Sequence, residues 1–137
     1  MDQRKTVLLA DAGEEFRTLL WEEMEKTGEF SVEIARDGNE ILKRVKERMP
    51  DLLVMDVMLP GMNGFDLCTR IRAEGRRIPI IFLSAKNDIV DKSIGFRAGG
   101  DDYVTKPFDA TELILRIEAH IRCHKDTIEF ARCTARD

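Results

Sequence analysis

The residues in this chain best suited to chemistry each follow a short apolar run. Leu52, Leu53, Val54 and Met55 lead into Asp56, and the segment after it carries Pro60, Gly61 and Gly64 as chain breakers. Residues 6–10 lead into Asp11 and then Ala12, residues 78–83 into Ser84, and residues 102–105 into Lys106 with Pro107 behind it. A carboxylate is both a nucleophile and a hard ligand for a divalent cation. A lysine ammonium neutralises anionic oxygens as a point charge, and a serine hydroxyl can donate to the same group. Gathered together, these groups describe a site that takes a phosphoryl group onto a carboxylate with help from Mg²⁺.

For that gathering to occur, the apolar runs must be neighbouring strands that end at one rim. The pattern supports this. Residues 6–10 read as a strand buried on both faces. Residues 14–27 place Phe16, Leu19, Leu20 and Met24 at helical spacing, with Gly28 as the stop. Residues 30–35 alternate Phe30, Val32 and Ile34 as a second strand before an Asp37-Gly38 turn. A helix over 40–48, a strand over 52–56 and a helix from Gly64 to near Gly75 follow. Then come a strand over 78–83, a weakly periodic helix over 88–98, a short strand over 102–105 and a strong helix over 109–123. Five β–α units in alternation predict an α/β fold with a parallel sheet and helices on both faces. In such sheets, ligands bind in the crevice at the carboxyl ends of the strands.

Bulk properties agree with one ordinary globular domain. The chain has 137 residues, 43% hydrophobic and 35% charged, with a formal charge of −4 that gives no argument for nucleic-acid binding. No apolar run approaches the ~20 residues that span a bilayer, and the N-terminal apolar stretch is too short for a signal peptide. Cys68, Cys123 and Cys133 show no framework spacing and read as reduced thiols of a cytoplasmic protein. His120, Cys123 and His124 share a helix face, but structural zinc sites usually bring ligands from two segments. Residues 1–124 read as the functional domain and 125–137 as a helix extension, linker or tail.

Four motifs in order, VLLAD (7–11), LLVMDVMLPGMNG (52–64), IIFLSA (80–85) and GGDDYVTKPF (99–108), resemble the receiver domains of two-component response regulators. The resemblance covers about residues 5–124. It implies a flavodoxin-like (βα)5 doubly wound fold with strand order 2-1-3-4-5. It implies Asp56 as phosphoacceptor for a sensor histidine kinase, Lys106 as the phosphate-contacting lysine, and Ser84 and Tyr103 as switch residues. Mg²⁺ would be held by Asp11, Asp56 and the Met58 backbone carbonyl. The Lys106-Pro107 bond is one that the family often holds in cis. Such a domain is not an enzyme beyond catalysing its own phosphoryl acceptance and dephosphorylation. Lys92, Asp101, Asp102, Glu112, Arg116 and Arg122 resemble the charged set through which winged-helix (OmpR/PhoB) receivers pair as homodimers. That likeness implies control of transcription through a DNA-binding output domain absent from this sequence.

One departure stands out. The family usually closes its first strand with two adjacent acids, and here Ala12 occupies the second position. Removing an oxygen ligand from a hard-cation site weakens metal binding. Two expectations stay open: Asp56 is phosphorylated with weak metal dependence, or the chain is a degenerate receiver that works as a phosphorylation-independent interaction module. Other functions fit less well. A flavin site would want a Ser/Thr/Gly-rich loop after the first strand, and a haloacid-dehalogenase-like transferase would want a DxD there.

Overall fold

The computed structural model describes residues 4–10, 13–85, 89–106 and 109–135, with side chains for all of these except 15, 16, 89, 90 and 125–135. The main strands are β1 (Lys5–Ala10), β2 (Phe30–Ile34), β3 (Leu52–Asp56), β4 (Ile80–Ser84) and β5 (Asp102–Thr105). They form one sheet in the order β2-β1-β3-β4-β5, with every neighbouring pair parallel. The helices are α1 (Glu14–Thr27), α2 (Gly38–Glu47), α3 (Gly64–Ala73), α4 (Ile89–Arg97) and α5 (Ala110–Ala135). The predicted α/β class and strand order hold.

The central strands are apolar throughout because both faces are covered. Leu8, Leu53, Met55, Ile80 and Phe82 pack with residues of α2 and α3 on one side. Val7, Leu9, Val54, Ile81 and Leu83 pack with Leu20, Met24, Leu113 and Ile117 on the other. Each strand feeds alternate side chains to the two layers, as the period-2 geometry requires.

Several local expectations need correction. Leu19 and Ile34, expected inward from their spacing, are exposed. Ile34 lies on β2, an edge strand that pairs with β1 alone, so burial there is incomplete. The second helix begins at Gly38 rather than 40. The Asp37 carboxylate accepts from the Glu40 N–H at 2.9 Å, and Glu40 accepts from the Arg36 N–H at 2.7 Å, so a reciprocal cap sets the start. The fourth strand begins at Ile80, two residues later than expected, and runs through Ser84. The last helix runs on from Ala110 to Ala135, so of the alternatives expected after residue 124 it is the helix extension that is seen through 135.

Candidate phosphoryl-acceptor site

Parallel register decides which side chains meet. Asp56 pairs with Leu83, and Ser84 pairs with Thr105, so Asp56, Ser84 and Lys106 finish adjacent strands in a row. Two backbone bonds carry this order beyond the strands: Val57 N–H donates to Leu83 O at 3.0 Å, and Lys106 N–H donates to Ser84 O at 2.7 Å. The backbone thus delivers the lysine to the rim beside the carboxylate, and Lys106 Nζ lies 2.8 Å from Asp56 Oδ2. The Asp56 side chain is 13% exposed and that of Lys106 is 32% exposed, so the pair faces solvent from a recess.

The other carboxylate oxygen, Asp56 Oδ1, accepts from Met58 N–H at 2.9 Å, an Asx turn that orients the group. The loop behind it is tightly folded. Met58–Leu59 and Met62–Asn63 pair as a two-residue antiparallel ladder that the sequence reading did not foresee. Pro60 and Gly61 (φ +71°) supply the turn. Gly64 closes the loop against the end of β3: its N–H donates to Val57 O at 2.7 Å. A Cβ on Gly64 would stand 2.9 Å from Asp56 O and 3.0 Å from Val57 Cα. Asn63 then caps α3 by accepting from Phe65 N–H at 2.7 Å. Pro60, Gly61 and Gly64 therefore act as the breakers that bring the backbone close around the carboxylate.

Ser84 is buried, and with Tyr103 it borders a cleft of about 230 Å³ next to Asp56's loop. Tyr103 is also buried, its ring turned into the core layer shared with Phe65 and Phe82. Asp11, Ala12 and Pro107 lie outside the described residues, and with them the second expected metal carboxylate and the Lys106-Pro107 bond. Among the described residues no cluster of three His, Cys, Asp or Glu side chains surrounds a metal position. The donors present, the Asp56 carboxylate and the Met58 carbonyl, are hard oxygens. They suit Mg²⁺, which usually takes one or two carboxylates and keeps several waters.

The six residues of the charged set do not form one cluster. Asp102 accepts from Arg116 Nη1 at 3.0 and 3.2 Å, and Arg116 Nη2 also reaches Glu112 at 3.1 Å. His120 Nε2 lies 3.0 Å from Asp102 Oδ2. Burial alone would raise the Asp102 pKa, but hydrogen bonds from His120, the Tyr103 N–H and Arg116 outweigh it and hold the carboxyl below its usual range. Asp101 instead accepts from Arg72 Nη2 of α3 at 3.0 Å and from the Ile80 N–H at the start of β4 at 2.8 Å. Lys92 is half-buried and Arg122 exposed. The sequence reading named His120 only beside Cys123 and His124, not as a partner of Asp102, and did not name Arg72. His120 could have been found, since it stands four residues past Arg116 on one helix face. Arg72 could not, since 29 residues separate it from Asp101.

Residues 7–118 match the family model described as a response regulator receiver domain. The chain is 41% identical over 118 residues to the alkaline phosphatase synthesis transcriptional regulatory protein PhoP of Bacillus subtilis, covering 86% of this chain and 49% of that protein. It is 44% identical over 97 residues to the DNA-binding response regulator MtrA of Mycobacterium tuberculosis, covering 71% of this chain and 42% of that one. The chain thus spans less than half the length of these two relatives. The structure of the Francisella response regulator 1452 receiver domain superposes with a TM-score of 0.83 at 31% identity, covering 88% of this chain and 99% of that one. With an ammonium on the strand-end carboxylate and a family match over most of its length, the chain belongs to the response regulator receiver domain family.

Proposed function

We propose that this domain accepts a phosphoryl group on Asp56 from the phosphohistidine of a sensor histidine kinase. The observation that carries this reading is the 2.8 Å contact between Lys106 Nζ and Asp56 Oδ2 in a solvent-reachable recess. An Asp56 carboxylate oxygen attacks phosphorus in line, a P–O bond forms, and the P–N bond to the donor imidazole breaks. Lys106, already set beside the acceptor oxygen, neutralises charge on the equatorial oxygens. The new group brings roughly −2 charge and draws the Ser84 hydroxyl and the Lys106 ammonium toward it, and the inward Tyr103 ring occupies the space that Ser84 leaves. Asp56, the Met58 carbonyl and Asp11 would hold Mg²⁺. When bound, that cation neutralises charge on the transferring group. With Ala12 in place of the usual second acid, its affinity is low. The domain is not an enzyme in the ordinary sense, since it turns over only its own phosphate.

The same reading extends to output. The relatives named above are a transcriptional regulatory protein and a DNA-binding response regulator. We assign residues 1–124 to the receiver and 125–137 to a helix extension, linker or tail, and assign the output to a domain that acts on DNA in the cytoplasm. No described helix is long and apolar enough to cross a membrane. Activation would pair two copies through α4, β5 and α5, drawing on Lys92, Asp101, Asp102, Glu112, Arg116 and Arg122 together with the exposed Ile94 and Leu115. Because Asp102 and Arg116 bond each other within one protomer, pairing requires them to exchange partners.

The test is a phosphate-affinity gel on wild type and Asp56→Asn after incubation with a small phosphodonor and Mg²⁺. A retarded band in wild type alone supports the proposal. No band in either protein across millimolar Mg²⁺ removes it and leaves the interaction-module reading. Sedimentation with and without beryllofluoride tests the pairing, and a monomer in both states counts against it.

A further inference from the structure

Tyr103 does not stand alone in its layer. Phe82 is its register partner on β4, with ring centroids 6.4 Å apart and planes tilted by 51°. Phe65, at the start of α3, stacks on Tyr103 at 6.4 Å and 27°. Phe65 also meets Phe82 edge-on at 5.0 Å and 77°. All three are buried, Phe82 completely. The lid over this trio is the backbone of α4 and the turn after it. A Cβ on Gly95 would lie 3.1 Å from the Phe65 ring and 3.3 Å from the rings of Phe82 and Tyr103. A Cβ on Gly100 would lie 2.4 Å from the Phe82 ring, a distance real atoms do not adopt. The large Phe82 side chain and the missing side chain at 100 therefore fit each other. Together they leave the tyrosine enclosed by two rings and a helix.

We propose that Phe65 and Phe82 are positioning residues that hold the Tyr103 ring inward in the unmodified protein. The switch beside Ser84 then begins already biased toward the arrangement that a phosphoryl group on Asp56 would select. This proposal rests on the acceptor reading of Asp56 for its meaning in signalling, but not for its measurement. Offset and edge-on ring pairs contribute beyond simple burial. Losing Phe82's two ring contacts should change the inward-to-outward ratio of Tyr103 by roughly three- to tenfold. In a chain whose cation site is thinned by Ala12, such a bias lowers the work that a weakly assisted phosphorylation must do.

Tyr103 is the sole tyrosine, so 3-fluorotyrosine incorporation labels one site. Fluorine NMR of the full chain with a soluble gadolinium chelate reads how much of the ring is solvent-reachable. Without additive, wild type should give one shielded resonance that beryllofluoride with Mg²⁺ barely moves. Phe82→Leu, Phe82→Met and Gly100→Ala should each show a solvent-reachable population that beryllofluoride returns to the shielded position. Phe82→Met nearly conserves volume, so it keeps the experiment informative where the smaller side chain compromises folding. A reachable wild-type resonance without additive would overturn the proposal. So would variants that melt at lower temperature while the fluorine signal stays shielded, the mark of a merely structural role. Loss of the acceptor reading shows elsewhere, as no mass gain from a phosphodonor, and leaves the additive-free populations measurable.

Discussion

Replacing Lys106 with alanine tests the site's electrostatics most sharply. At 2.8 Å, Coulomb attraction between the ammonium and the Asp56 carboxylate is ~6 kcal/mol at an effective dielectric of 20 and ~1.5 kcal/mol in bulk water. Lys106 is 32% exposed, so screening brings the net value toward the lower figure, and desolvation of both groups reduces it further. The folded state should therefore lose at most about 1 kcal/mol. Phosphoryl transfer is a different case. Its transition state spreads negative charge over oxygens that the ammonium faces, and a preorganised charge there typically contributes ~2–3 kcal/mol. That predicts acceptance slower by roughly 30- to 150-fold in Lys106→Ala at nearly unchanged stability. Arginine at the same position should recover only part of the rate, because its planar fork does not reproduce a point charge. Intact-mass time courses with a small phosphodonor, paired with chemical denaturation, measure both quantities. A variant that accepts phosphate within threefold of wild type would refute the reasoning.

Three other outcomes follow from particular contacts. Gly64→Ala forces a Cβ to 2.9 Å from Asp56 O, where backbone cannot yield cheaply. It should cost ~1–3 kcal/mol in urea denaturation and slow acceptance by displacing the carboxylate, and unchanged stability would contradict the close approach. Asp102→Asn weakens bonds to Arg116 and His120 and should cost ~1–3 kcal/mol near neutral pH. Because the Asp102 pKa is lowered in the fold, that stability is present above the ordinary carboxylate range and disappears as pH falls through the depressed value. The gap between wild-type and variant stability should therefore begin to shrink below about pH 4 and close only once pH passes the depressed value, and a constant gap into strong acid would disprove the linkage. Met58, whose exposed side chain borders the cleft beside Asp56, should slow water's approach to an acyl phosphate. Met58→Asn should shorten the phosphate's lifetime, and seconds-scale decay unchanged by the substitution would end the shielding idea.

How much could be read beforehand depended on the range of the interaction. The meeting of Asp56 and Lys106 was legible because parallel strands in alternation with helices must end together, and each residue directly follows its run. Asp101 and Asp102 illustrate the opposite case. They are adjacent in sequence, of one type, and looked like one charged face. In the fold, Asp102 sits on β5 and reaches across to α5, while Asp101 precedes the strand and turns back to Arg72 of α3. Local pattern carries no signal for a choice between partners 14 and 29 residues away. Leu19 and Ile34 misled for a related reason. Periodicity says which residues share a face but not whether another element covers that face, and an edge strand leaves part of it open.

The most direct measurement of the central claim is borohydride trapping followed by peptide mapping. Wild-type protein incubated with a phosphodonor and Mg²⁺ is reduced, and an acyl phosphate on an aspartate is converted to homoserine. The account predicts homoserine at position 56 and at no other aspartate, with none in protein left without phosphodonor. Modification at a different carboxylate, or none at any Mg²⁺ concentration, would contradict it.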